Sequence, residues 1–449
     1  MRRIMIAGTN SGCGKTTITC AVMQALVNRG MRVSAFKCGP DYIDPMFHES
    51  VIGADPHNLD GWFCDGKMLR RILTDGSLDS DISLIEGVMG FYDGVSGKAS
   101  SHAVSQEVNC PVILVVDCKG MSTSIGAVVS GFLNFRTPNN IVGFIFNRLP
   151  PQLVDEIKSL CNEAGTEFLG YFPNSPECAL ESRKLGLVTP DGVCELKKKT
   201  QKLAEKAEKY IDITRMFIIS DTPPLNDVAE LPARHRKGVR IAVARDAAFS
   251  FIYRDNMRFL EHLGAEILYF SPLNNEKIPE GANGLILCGG YPELFADKLS
   301  ENQSMLQSIK ENIKHGMPLI AECGGFMYLH EALVNDEGNL YPMVGLIPGK
   351  AFPTAKLQRF GYVRLRAAEN NLLCNKNEEL LAHEFHYWDS ENYGNGFTAV
   401  KESSGMQWEC VHATENMYSG FPHLYFYANI SAAEKFIEAC ANFGGNNDI

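Results

Sequence analysis

The chain of 449 residues lacks several things, and each lack excludes a class of protein. No two of its 14 cysteines stand in Cys-x-x-Cys spacing, which removes the common zinc-ribbon and dithiol frameworks. The cysteines are scattered, as buried thiols of a reducing compartment are. No apolar run approaches the roughly 20 residues that span a bilayer, so no membrane segment is expected. Met1-Arg2-Arg3 leads straight into an apolar strand without the shape of a secretory signal, and a cytoplasmic location is expected. Positive charge is not in surplus. A formal net charge of -11 argues against a nucleic-acid surface.

What is present is a globular composition, with 45% hydrophobic and 21% charged residues, in a chain long enough for two or three domains. The N-terminal half is organised around Gly8-Thr9-Asn10-Ser11-Gly12-Cys13-Gly14-Lys15-Thr16-Thr17. The apolar strand Ile4 to Ala7 runs into it, and a helical pattern from about Thr17 to Asn28 runs out. Strand, Gly-rich turn and helix form the setting of a phosphate-binding loop. Gly12, Gly14 and Thr17 would line the phosphates. Lys15 would reach the β- and γ-phosphates, and the Thr16 hydroxyl would face Mg²⁺. Thr9 stands where the general pattern has its first glycine, so a Gly-rich turn that binds nothing is the rival reading. Min/Par-type ATPases carry a second lysine five residues before the loop lysine; here that residue is Asn10.

Further strands follow, each ending in chemistry. Arg32 to Phe36 leads into Lys37-Cys38-Gly39-Pro40-Asp41-Tyr42-Ile43-Asp44-Pro45. Asp41 and Asp44 lie where α/β sheets bind ligands, and could hold Mg²⁺, orient a substrate, or only cap local backbone. The strand Ser83 to Ile85 ends in Glu86 and Gly87, which places Glu86 like a Walker-B carboxylate for the metal of MgATP. Val112 to Asp117 is β-branched and apolar throughout, as a parallel strand buried on both faces is. Val142 to Asn147 ends in an amide suited to a nucleotide base or to a turn. The alternation continues to a charged helix from about Gly192 to Tyr210, and it predicts a doubly wound sheet. Residues 221–237 contain Pro223-Pro224 and Pro232 with little periodicity, and are expected to be a linker between domains at 1–220 and 238–449.

The alternation restarts at Arg240, with a long helix expected from about Leu299 to His315. A short apolar strand then enters Glu322-Cys323-Gly324-Gly325. That is a nucleophile elbow built with cysteine. The following helix N-terminus is expected to lower the Cys323 thiol pKa and, through the Gly324 N–H, to bind an oxyanion. The Gly289-Gly290 turn could add a second donor from Gly290. A buried cysteine beside a tight turn is the alternative. A cysteine nucleophile needs a base. His383 or His386 of His383-Glu384-Phe385-His386, and His423, stand out, and the residues alone do not choose between them.

Together these motifs resemble the cobyrinate a,c-diamide synthase family over essentially the whole chain. The resemblance rests on Gly8 to Thr17, Lys37 to Pro45, Glu86 to Gly94, Gly289-Gly290-Tyr291-Pro292-Glu293 and Glu322 to Met327. It implies a dethiobiotin-synthetase-like ATP domain joined to a class I glutamine amidotransferase-like domain, both doubly wound α/β. It implies Cys323 as glutaminase nucleophile and His423 as its base. It also implies Lys15, Thr16 and Glu86 on MgATP, Asp41 and Asp44 near metal and substrate, and Asn147 on the base. The implied partners are ATP, L-glutamine and a corrinoid or related tetrapyrrole, with a homodimer as the candidate assembly. The wider class I enzymes have His-x-Glu; here the third position is Tyr425, which leaves the partner of His423 open. The macrocycle is open too, since Ni-sirohydrochlorin and hydrogenobyrinate a,c-diamide synthases share these motifs. A P-loop ATPase switch or scaffold with an inactive second half is the rival of a different class.

Overall fold

The computed structural model describes residues 1–175, 190–233 and 238–445. The chain forms two compact units, Met1–Glu230 and Leu231–Ile449.

The first unit holds seven strands: β1 (Arg3–Gly8), β2 (Val33–Cys38), β3 (Asp55–Leu59), β4 (Ile82–Glu86), β5 (Val112–Asp117), β6 (Ile141–Asn147) and β7 (Glu167–Phe172). They pair in the order β3-β2-β4-β1-β5-β6-β7, all parallel. β1, β2 and β4 are buried from end to end, which is why their sequences are nearly continuous apolar runs. The helix Lys15–Asn28 buries Ile18, Val22 and Leu26 against this sheet and against Leu203 and Ala207 of the helix Pro190–Tyr210. Because the strands are parallel, Gly8, Cys38, Glu86, Asp117 and Asn147 all end at one edge. The order reverses around β1 there, which is where an open α/β sheet leaves a crevice.

Residues 221–233 carry no helix or strand longer than a bridge, and 234–237 of the expected linker lie outside the described residues. Its first part is tied to the first unit. The buried Arg3 guanidinium donates to the carbonyl of Pro223 at 2.9 Å and to that of Val108 at 2.9 Å, and the Ala229 N–H donates to the Lys67 carbonyl at 3.1 Å.

The second unit opens with β8 (Arg240–Ala244), β9 (Phe249–Phe251), β10 (Glu266–Phe270), β11 (Gly284–Leu287), β12 (Gly289–Gly290) and β13 (Leu319–Glu322). The helix expected over 299–315 is two helices, Ala296–Glu301 and Gln303–Lys314. Asn302 parts them: its amide donates to the carbonyls of Pro272 and Asn275, and its side-chain oxygen caps the second helix at the Met305 N–H.

Strand–helix alternation accounts for only part of this unit. After it come β14 (His330–Val334), β15 (Leu340–Pro342), β16 (Ile347–Ala367), β17 (Glu379–Ser390), β18 (Phe397–Lys401), β19 (Gln407–Cys410), β20 (His412–Ala413), β21 (Met417–Gly420) and β22 (His423–Leu424). One sheet runs β10-β8-β11-β13-β21-β20 and is parallel as far as β21. A second sheet, β15-β14-β16-β17-β22 with β18 and β19 on the far side of β16, is mostly antiparallel. Along β17 buried Glu384, His386 and Trp388 alternate with exposed Phe385 and Tyr387, as in a sheet covered on one face. The α/β class holds for both units; the antiparallel sheet is an addition that alternation alone does not predict.

Among the described residues no helix is long and apolar enough to cross a membrane. All described cysteines are free, and only Cys194 is exposed.

Candidate active sites

The first site lies at the strand-end edge of the first unit. Gly14 caps the helix Lys15–Asn28 with φ 94°, a left-handed conformation that a side chain would strain. A Cβ there would also strike the Asn147 amide nitrogen, 2.1 Å away. Gly14 therefore lets the helix begin at Lys15, two residues earlier than the periodicity predicts. Asn147, expected at a base, donates to the Cys13 carbonyl at 2.8 Å and braces the loop from β6. Gly12 has φ 78° and Thr17 lies in the first helical turn.

The Thr16 hydroxyl donates to Glu86 Oε1 at 2.7 Å. The same oxygen accepts from Lys37 Nζ at 2.8 Å, and Lys37 also donates to Asp44. Lys37, Asp44 and Glu86 are all buried. Burial acts on Glu86 to raise its pKa, but the Lys37 charge, a hydrogen bond from His48 and the Lys15 charge together hold it well below the usual carboxylate range. Asp44 goes the other way: burial outweighs Lys37 and pushes it up to about 6. Burial alone would lower Lys37, yet the carboxylates Asp44 and Glu86 hold it well above its usual value. The result is a fixed ammonium beside a fixed carboxylate, with Asp44 as the acid closest to neutrality.

The two aspartates expected to act alike are divided. Asp41 is a local cap, its Oδ1 accepting the Ile43 and Asp44 N–H groups at 2.9 and 3.1 Å, and its other oxygen lies 4.0 Å from Lys37. Asp44 is the member that joins the cluster.

No group of three or more His, Cys, Asp or Glu side chains among the described residues could hold a metal alone. Mg²⁺ asks for less, since it keeps waters and takes most of its remaining ligands from phosphates. The Thr16 hydroxyl beside a carboxylate held ionised, whose Oε2 has among the described residues only His48 Nε2 near it at 3.5 Å, fits that demand.

The second site is built at the end of β13. Cys323 has φ 47° and ψ -102°, a strained conformation for a non-glycine residue that costs about 1–3 kcal/mol. It is the elbow expected from the sequence. Its N–H donates to the Gly420 carbonyl of β21 at 2.8 Å, and three residues beyond Gly420 comes His423. The position of a Cβ on Gly324 is 3.0 Å from the Gly290 nitrogen, so the Gly289-Gly290 backbone packs directly against the elbow. The His423 ring packs over Gly289, where a Cβ would lie 2.6 Å from its Cε1.

The expected lowering of the Cys323 pKa does not occur. Burial and then the Glu293 charge push the thiol up, and the Gly324 N–H offsets only a lesser part. The helix it caps has five residues, Gly324–Tyr328, too short a dipole to outweigh a cysteine only 6% exposed. The resting group is the thiol, so a base is required.

Where the His-x-Glu acid is missing, the acid beside His423 is Glu322. Its Oε2 lies 3.4 Å from His423 Nδ1, and its Oε1 accepts the Leu424 N–H at 2.9 Å. Tyr425, in the third position, points elsewhere, to Asp255 Oδ2 at 3.3 Å. Asn256 clamps the same segment through the Leu424 carbonyl and the Phe426 N–H. His383, the rival base, is paired in register with His423 but lies on β17; burial and the neighbouring His423 hold it down to about 3.

Residues 4–187 match the CobQ/CobB/MinD/ParA nucleotide binding domain, and residues 240–429 match the CobB/CobQ-like glutamine amidotransferase domain. The cobyrinate a,c-diamide synthase of Caldanaerobacter subterraneus is 38% identical, over 99% of this chain and 99% of that one. The synthase of the same name from Priestia megaterium is 37% identical over 98% and 97%, and that of Thermoplasma volcanium 37% over 100% and 99%. The chain belongs to the cobyrinate a,c-diamide synthase family.

In this member of the family, two residues at the sites escape motif reading. Lys37 stands within a quoted motif, but a lysine at a strand end signals nothing by itself; its role appears only when β2 and β4 lie side by side. Glu322 is adjacent to Cys323, and the signal available was an acid closing an otherwise apolar strand.

Burial near the second site has a consequence for stability. His330, under the Cys323 helix, places Nδ1 3.0 Å from the Phe326 carbonyl and Nε2 2.6 Å from the Ser390 hydroxyl. A neutral ring satisfies both, and burial holds its pKa down to about 4. Between pH 6.5 and about 4 the unfolded chain takes up a proton that the folded chain refuses, so stability falls as pH falls. The loss is about 3 kcal/mol for such a histidine. Urea unfolding of the protein between pH 7 and 4.5 should show it, with His330→Gln flattening the slope; an unchanged slope in that variant would contradict the assignment.

Proposed function

We propose that the chain is an ATP- and glutamine-dependent ligase that amidates the a and c acetate side chains of cobyrinate. The observation that carries this reading is the joint presence, in one chain of this family, of a phosphate-loop cluster and a cysteine elbow whose candidate base is held by an acid.

In the second unit His423, oriented by Glu322, takes the Cys323 proton. The sulfur attacks the side-chain amide carbon of glutamine, and the Gly290 and Gly324 N–H groups receive the charge on oxygen. The C–N bond breaks, His423 returns the proton to the leaving nitrogen, and ammonia departs. Water then cleaves the thioester to glutamate.

In the first unit a substrate carboxylate oxygen attacks the γ-phosphorus of ATP and ADP leaves. This makes an acyl phosphate, because a carboxylate by itself has only oxide as leaving group. Ammonia adds to the acyl carbon and phosphate departs. Lys15 and Lys37 bring positive charge to the transferring phosphoryl group. The Thr16 hydroxyl and Glu86 would hold Mg²⁺, which supplies charge neutralisation of the phosphates. Glycine-rich turns keep both sites close to backbone donors.

The test is product mass with ATP, glutamine and Mg²⁺ on cobyrinate and on Ni-sirohydrochlorin. A gain of two amides on cobyrinate is expected. A gain only on Ni-sirohydrochlorin would keep the residue roles and change the substrate. No product on either, from a protein that still hydrolyses ATP, would overturn the reading.

A further inference from the structure

Glu293 has no place in the mechanism above, yet it is one of the least ordinary carboxylates in the second unit. It sits in the short 3-10 turn Pro292–Phe295, immediately after the Gly289-Gly290 strand. Pro292 packs on Gly324, its Cδ 2.9 Å from where a Cβ would stand, so the turn is seated against the Cys323 elbow. Glu293 is 7% exposed and Cys323 6%, so each is almost but not wholly closed to solvent, while the next residue, Leu294, is 42% exposed.

No described side chain donates a hydrogen bond or forms an ion pair with the Glu293 carboxyl; its own backbone N–H is the donor that reaches it. The side-chain charge acting on it, Asp336, is negative. Among charged side chains Glu293 has the strongest effect on the Cys323 sulfur, ahead of Glu322 and Glu384. Burial pushes the carboxyl up to about 8. A carboxyl buried among acids without a cation is either kept neutral or awaits one.

We infer that Glu293 is the receptor for the α-ammonium group of glutamine, and so the residue that makes the second site select an α-amino acid. The inference rests on the glutaminase reading of Cys323 and deepens it. With the amide carbon at the sulfur, the carbon bearing the ammonium lies three carbon–carbon bonds away, within reach of a neighbour of the elbow such as Glu293. An ammonium there supplies the cation that the chain itself withholds, through a charge-assisted hydrogen bond. A substrate lacking that group leaves the carboxyl buried and unpaired, which is how a site rejects an analogue strongly.

The experiment compares glutamine with glutaramate, the same amide without its α-amino group, in the glutaminase reaction of the full chain. The unaltered protein is expected to prefer glutamine by about 100-fold or more in kcat/KM. Glu293→Gln should raise the KM for glutamine about 10- to 100-fold, leave kcat within a few-fold, and shrink the glutamine-to-glutaramate preference by the same factor. A purely structural Glu293 would change unfolding without changing that ratio. Equal use of both amides by the unaltered protein overturns the inference, whether or not the variant folds; so does an unchanged preference in a folded Glu293→Gln. Absence of glutamine hydrolysis altogether overturns the glutaminase reading, and this inference with it.

Discussion

Cys323→Ser is expected to abolish synthesis with glutamine, by more than about 10³-fold, while synthesis with ammonium salts continues. The physical ground is the state of the sulfur. It is buried, and burial with the Glu293 charge raises its pKa, so on the proposed mechanism a base must take its proton before attack. A serine hydroxyl in that place is a far weaker acid and a poorer nucleophile, and the elbow gives it no new help. The first unit contributes nothing to that step, so ammonia from solution can still meet the acyl phosphate. Amide formation from each nitrogen source, followed by product mass, distinguishes the two. Equal loss with both sources would mean that the elbow serves something other than glutamine hydrolysis.

The opposite pattern is expected from the first unit. Lys15→Ala and Glu86→Gln should each reduce synthesis about 10³-fold or more with glutamine and with ammonia alike. Glutamine would no longer matter, because the carboxylate is not activated. Glu86→Gln preserves an acceptor for the Thr16 hydroxyl and for Lys37, both of which use Oε1, and removes only the charge. Its effect therefore reports on charge and metal affinity rather than on a lost contact. Part of any stability change will come from Lys37, whose ammonium keeps Asp44 but loses one buried counter-ion. Ordinary ATP-dependent turnover in either variant would contradict the roles given to these residues.

Much of this was legible in the residues. The phosphate loop announces itself because glycine, lysine and threonine must follow a strand and open a helix for backbone donors to face a phosphate. The Cys323 elbow announces itself because two glycines after a strand-end cysteine permit a turn that larger residues would block: a Cβ on Gly325 would lie 2.1 Å from the Leu287 carbonyl. Parallel strands such as β5 are legible because a strand covered on both faces must be apolar throughout. Less was legible where partners come from distant segments. Lys37 and Glu86 are 49 residues apart, and only the pairing of β2 with β4, which sets Lys37 against Glu86, brings them together. Glu322 and His423 are drawn together by the pairing of β13 with β21.

The phosphate loop, the cysteine elbow and the family are legible along the chain, because each depends on residues close together in it. Long-range packing set the rest. It set Glu322 beside His423 where the His-x-Glu acid is missing, separated the capping Asp41 from the paired Asp44, and raised the Cys323 thiol where a helix end promised to lower it. These are outcomes of burial and long-range pairing. Desolvation depends on everything packed around a group, and no local pattern carries that information.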